Sequence, residues 1–239
     1  VKVLPAFRPD KALGVDCPEE FNRWVALLEA ATDTHITGYP SFLDAIHRRH
    51  DLFHEAGCRI SDHGIDQPYS EDFTSAEIKR IFDKARQGKK PEQDEVIQFR
   101  SAVLMELAKM DAAKGWTQQF HFGALRNVNT RAMKALGPDT GYDTIGDFEM
   151  ARRLAKFLDD LDRENDLAKT ILYVVNPRDN ELIASMIGNF QDGSIRGKMQ
   201  FGAAWWFNDQ KDGIERQLNA LSNMGLLSCF VGMLTDSRS

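Results

Sequence analysis

An aspartate and an arginine stand two residues apart at the end of this chain, in TDSRS, directly after the apolar run of residues 229–234. At the end of a buried strand Asp236 could bind a divalent metal or take up a proton. Arg238, on the same side of an extended chain, could hold a carboxylate through its planar fork. A structural ion pair capping the strand accounts for the same spacing, because buried Asp and Arg often pair without doing chemistry.

In FHFGALRN, His121 lies between Phe120 and Phe122. Strand alternation turns its ring away from both, toward the interior if those phenylalanines pack outward. A lone histidine in such a strand is more often a satisfied core residue, but the nearness of Arg126 and Asn127 in the same strand-to-loop passage favours a site. In LPAFRPDK, Pro9 biases Arg8 toward extended backbone and a fixed side chain, suited to an anion contact or to a solvated rim position. In AAWWFNDQKDG, Trp205 and Trp206 precede Asn208 and Asp209; adjacent indoles on one strand face opposite ways, so one at most lines a lumen. Asp62 and His63 in SDHGID serve a site or cap a loop. His47, His50 and His54 share a helical face, but without an HExxH pattern they read as a solvated face. GxGxxG, GxxxxGK[ST] and GxSxG are absent, which removes the usual dinucleotide, P-loop and serine-hydrolase readings.

These residues need elements to position them. Short apolar runs alternate with segments of helical period, the pattern of an α/β fold with parallel strands. Strands are expected at residues 1–7, 57–63, 117–125, 170–176, 199–207 and 229–236. Between them, Pro18 with Glu19 and Glu20 opens a helix over 18–32, Ser41 opens one stopped by Gly57, and Thr74 with Glu77 forms a capping box. Further helices follow over 91–115, 146–166 and 210–226. The helix pair within roughly 66–115 exceeds one crossover and reads as an insertion. Asn176, Pro177 and Arg178 shape a loop after the fourth strand. Polar residues follow nearly every strand, and in a parallel barrel those positions share the C-terminal rim. The expectation is one partial (β/α)8 TIM-barrel domain over 1–239, strands 3–8, lacking its first units and final helix.

At 239 residues with 42% hydrophobic content the chain can fill one large core, and a net charge of −6 with scattered basic residues leaves no nucleic-acid footprint. The three cysteines are far apart and odd in number, which suits free buried thiols in a reducing cytosol. No stretch of about eighteen apolar residues is present to cross a membrane, and the start lacks a signal-peptide layout.

Taken together, VLPAFRPDK, CRISDHGID, QQFHFGALRNVN, ILYVVNPRDN, MIGNFQDG, GKMQFGAAWWFNDQKDG and LSCFVGMLTDSRS resemble the uronate (glucuronate) isomerase family, a divergent branch of the amidohydrolase superfamily. The resemblance runs in family order over nearly the whole chain. It implies a distorted, metal-dependent-hydrolase-like (β/α)8 barrel that interconverts D-glucuronate with D-fructuronate and D-galacturonate with D-tagaturonate. It further implies that Asp236 ligates a divalent metal, commonly zinc, and is a candidate for proton handling. Arg238 and Arg8 then contact the sugar acid, Trp206 lies at the substrate pocket, and His121 lies near the metal. The expected partners are small sugar acids, with no nucleic acid and no membrane, in a cytoplasmic homo-oligomer. Complete members of the family carry an HxH pair on the first barrel strand as metal ligands, and none precedes Val1; the piece alone is expected to be inactive. A metal-dependent amidohydrolase and a non-catalytic barrel fragment are the competing readings.

Overall fold

The computed structural model describes residues 3–233. The sequence signals for helices act locally and hold closely. Helix α1 spans Pro18–Thr32, with proline in its first turn and two acids behind it, and buries Phe21, Val25 and Leu28 on one face. Helix α2, Tyr39–Glu55, begins two residues before Ser41, whose hydroxyl accepts from the Thr37 and Gly38 amides and so caps the helix from its own first turn. Helix α3, Ser75–Arg86, carries the capping box: Thr74 Oγ1 accepts from the Glu77 amide, and the Glu77 carboxylate accepts from the Thr74 amide at 2.8 Å. Helix α4, Gln93–Ala113, buries side chains around most of its circumference, as a central helix must.

Strands β1 (Ile60–Ile65), β2 (Thr117–Phe122), β5 (Lys169–Val174) and β6 (Met199–Phe201) form one sheet in the order β1-β2-β5-β6. β5 and β6 pair in parallel, Thr170 opposite Met199. A small antiparallel ribbon joins β3 (Ala124–Leu125) to β4 (Thr144–Ile145) around helix α5 (Thr130–Leu136), and α6 (Ala151–Arg163), α7 (Asn180–Met186) and α8 (Lys211–Met224) complete the described elements. The class is α/β with a parallel sheet.

The chain divides into two compact units. The first holds the residues up to His63, Tyr69–Gln118 and Lys156–Lys169. Its core is a cluster of Phe21, Phe42, Phe82 and Phe99, with ring centroids 5.1 to 6.5 Å apart. The second unit holds Gly64–Pro68, Gln119–Ala155 and the residues from Thr170 onward, with β5 almost wholly buried.

Several expectations need correction. Of the strand expected over 1–7, residues 1 and 2 lie outside the described residues, and among residues 3–7 only Phe7 joins a strand, through a single parallel bridge to Ser61. The strand expected over 199–207 stops at Phe201; Gly202 follows it, packed so close to the Tyr173 ring that a Cβ would lie 2.2 Å from it. The strand expected over 229–236 is absent from its described part: residues 227–229 form a 3₁₀ turn, and the Gln200 side chain takes the role of a strand partner. Gln200 donates to the Cys229 carbonyl at 2.8 Å and accepts from the Val231 amide at 3.0 Å. Residues 234–236 lie outside the described residues. All three cysteines are free, but only Cys58 is buried: Cys17 is exposed and Cys229 half-buried. Nor is the histidine face of α2 solvated throughout. His50 is buried, 3.0 Å from Asp111, and His54 accepts from the Trp116 indole at 2.9 Å.

Candidate functional site

In the first unit the residues after the Phe7 bridge lie along the first four residues of β1. Backbone bonds from Phe7 to Ile60 and from Asp62 to Phe7 fix the two segments side by side, so Arg8 lies against the acid of the SDHG stretch. Its guanidinium contacts Asp62 at 3.0 Å and Asp10 at 3.2 Å, while remaining half exposed. Asp10 also holds His63, whose Nδ1 lies 2.9 Å from the other carboxylate oxygen and whose ring is buried. Arg8, Asp10, Asp62 and His63 thus form one polar cluster. One face of β1 carries Ser61 and His63 inward, and Ser61 is anchored by Asp111 at 2.5 Å. An exposed arginine balanced by two carboxylates can exchange one of them for an incoming anion.

In the second unit the chemistry is built on rings. His121, half-buried on β2, stacks on Tyr173 of β5, with centroids 4.3 Å apart and planes 2° from parallel. Trp205 meets the same imidazole edge-on at 4.5 Å, and its buried indole N–H has no partner among the described residues. Phe120 and Phe122 point the other way and are buried, as alternation requires. Gly202 makes the stack possible: a Cβ there would lie 2.2 Å from the Tyr173 ring.

Trp205 and Trp206 are not strand neighbours on opposite faces. Trp206 opens a 3₁₀ turn with φ of 52°, a left-handed conformation rare for so bulky a residue. The turn is pinned by buried Asn208, whose amide donates to the Val174 and Val175 carbonyls at the end of β5. The Trp206 ring lies under the Arg126 guanidinium, 4.7 Å from ring centroid to Cζ, and beside Phe207 at 4.9 Å. Arg126 is held in turn by Asp143 at 2.9 Å, and the second oxygen of that carboxylate accepts from the Asn127 amide. Asn176 shapes its loop as expected, accepting from the Arg178 amide and donating to the Gly146 carbonyl.

Asp236 and Arg238, the terminal acid and base, lie outside the described residues. Among the described residues no three His, Cys, Asp or Glu side chains gather as a metal site. Sequence reasoning did not single out Tyr173 or Asp143. Tyr173 sits inside an apolar run where nothing marks it as a ring partner, and Asp143 is one acid in a polar loop.

The family model described as glucuronate isomerase matches residues 1–239 of this chain. The chain belongs to the glucuronate isomerase family. A uronate isomerase of Bacteroides thetaiotaomicron is 56% identical over all of the chain, which covers 51% of that relative. One of Cellvibrio japonicus is 55% identical over 99% of the chain and 50% of its own length. Among solved structures, a uronate isomerase of Thermotoga maritima is similar with a TM-score of 0.90 at 33% identity, over 98% of this chain and 50% of that one. A glucuronate isomerase of Caulobacter crescentus gives 0.87 at 25% identity, over 99% and 48%. The chain therefore spans about half the length of the family members it matches.

Proposed function

We propose that the whole protein carrying this chain is a uronate isomerase, interconverting D-glucuronate with D-fructuronate and D-galacturonate with D-tagaturonate. The observation that carries this reading is the family match over the full chain, with relatives of that name at 56% identity. On this reading the sheet belongs to a (β/α)8 barrel, and the protein works in the cytoplasm as a homo-oligomer; no described helix is long and apolar enough to cross a membrane.

The reaction moves a carbonyl between C1 and C2. A base removes the C2 proton, an enediol-like intermediate forms, and a proton returns at C1 as the C2 oxygen becomes the carbonyl. The substrate carboxylate needs a cation, and Arg8 supplies one by exchanging Asp10 or Asp62 for it, with Arg238 as the second arginine. Trp206 forms pocket wall, and the Trp205 indole, a buried donor without a partner among the described residues, is placed to bond a sugar hydroxyl. His121, immobilised by Tyr173 and Trp205, is oriented to hold or pass a proton.

A divalent metal, with zinc the candidate, would take Asp236 as its ligand in this chain. The described residues do not by themselves make a metal centre. When bound, such an ion polarises the sugar's oxygens.

The test is ketose formation from both sugar acids by the whole protein and its Asp236→Asn variant, each with zinc or manganese added. Activity that falls by about a hundredfold or more in the variant supports the reading. No ketose from either sugar acid, in folded and metal-supplemented protein, removes it.

A further inference from the structure

We infer that Arg126 is a positioning residue for the aromatic wall, holding the Trp206 indole in place from the β3–β4 ribbon; this rests on the proposed pocket role of Trp206. Trp206 sits in a conformation that a bulky residue does not adopt unaided, at φ of 52°. Its backbone is constrained from beneath: Asn208 is tied to the end of β5, and the first turn of α8 approaches so closely that a Cβ on Gly213 would lie 2.3 Å from the Asn208 carbonyl oxygen. Those contacts fix the turn but not the orientation of the ring. The ring is contacted by Phe207, tilted 22° from it, by Trp205, tilted 49° at 5.5 Å, and by the Arg126 guanidinium at 4.7 Å over its face. A cation over the face of an indole is attracted by the ring quadrupole, and a planar guanidinium is the side chain best shaped to lie there.

Arg126 can do this because it is itself held. Asp143 accepts from Arg126 with one oxygen and from the Asn127 amide with the other, and its side chain is 8% exposed. Asp139, 3.8 Å away, adds a weaker contact from the same loop. Asn127, at φ of 52°, turns its amide inward for this bond. The arginine charge is thus already balanced by a largely buried carboxylate, whose second oxygen is itself committed to the Asn127 amide. The geometry favours a clamp on the ring over a direct hold on the substrate carboxylate.

The experiment compares Arg126→Met, Arg126→Lys and Asp143→Asn in the whole protein by near-ultraviolet circular dichroism and by uronate kinetics. Arg126→Met should change the indole bands while the far-ultraviolet spectrum stays native. It should lower kcat/KM about two- to fivefold, the size of an exposed cation–π contact. Arg126→Lys, which keeps the cation, should recover part of both signals, and Asp143→Asn should reproduce the spectral change more weakly. Adding Arg126→Met to Trp206→Phe should cost less than the two changes summed. Indole bands unchanged by Arg126→Met would overturn the inference. So would a loss of a hundredfold or more with unchanged bands, the signature of direct carboxylate binding. If the unmodified protein makes no ketose, the isomerase reading fails while the spectra still decide whether Arg126 orients the ring.

Discussion

The two units hold their chemical side chains by different means. In the first, Arg8, Asp10, Asp62 and His63 hold one another through ion pairs and a hydrogen bond, and beside them Ser61, Asp111 and His50 form a second polar chain that is almost completely buried. In the second, the fixed parts are planes: His121 lies flat on Tyr173, Trp205 stands edge-on to it, and Trp206 contacts Phe207, Trp205 and Arg126. A charge cluster is directional but intolerant of losing one member, because the remaining groups are then stranded in low dielectric. A ring stack loses less when one contact is weakened, but depends on the backbone leaving the right space. The first unit should therefore break at a carboxylate, and the second at a glycine.

The largest effect is expected from Asp111→Ala. It leaves His50 Nε2 and Ser61 Oγ buried without their shared acceptor, at a cost of roughly 3–5 kcal/mol in urea unfolding of the whole protein. Asp111→Asn keeps an acceptor and should cost visibly less. If Asp111→Ala unfolds within about 1 kcal/mol of the unmodified protein, the polar chain is not what locks β1.

A middle-sized effect is expected in the second unit from Gly202→Ala. The added methyl would fall 2.2 Å from the Tyr173 ring, so that ring or the strand must shift, at about 1–3 kcal/mol. The comparison gains its sharpest form if near-ultraviolet dichroism changes with this substitution while Asp111→Asn leaves it alone. An unperturbed spectrum for Gly202→Ala would mean that the ring stack has slack the structure does not show.

What could be read from the residues alone follows the range of the forces. Helix α1 runs over the expected residues because its proline, its acids and its apolar spacing are all local, and the Thr74–Glu77 box is a contact across a single turn. β6 stops at Phe201, next to a glycine whose missing side chain leaves room for a tyrosine of another strand, and near residue 229 a glutamine side chain bonds the backbone where a strand was expected. Arg8, Asp62, His63 and His121 can be singled out from type and position. That Arg8 is balanced by two acids, or that His121 lies on Tyr173, depends on which segments the fold makes adjacent. His50 shows the same limit from the other side: its spacing marks a helical face, but only the packing of Asp111 and Trp116 makes that position interior. Alternation misplaces the two tryptophans because it presumes a strand, whereas β6 has ended at Phe201 and Trp206 opens a 3₁₀ turn at positive φ.

The smallest effect is expected where the first unit carries charge at its surface. Glu95, at the start of α4, accepts from Lys84 at 2.7 Å, from the Glu92 amide at 2.9 Å, and from Arg80. The Lys84 bond, then the Glu92 amide, with Arg80 adding less, hold its carboxyl below the usual range, at about 2 rather than 4.5. A depressed carboxyl contributes stability that is present above 4.5 and is lost as pH falls from there toward 2. Glu95→Gln should therefore lower stability at pH 7, by about 1 kcal/mol or less because the bridging lysine and arginine reach into solvent. The gap between the two proteins should narrow steadily in thermal unfolding from pH 5 down to pH 3. Added salt should shrink it as well, since partly exposed pairs are screened. A gap that stayed constant with both pH and salt would mean Glu95 acts through packing at the helix start. A gap as large as that of Asp111→Ala would erase the distinction between buried and surface charge on which the comparison of the two units depends.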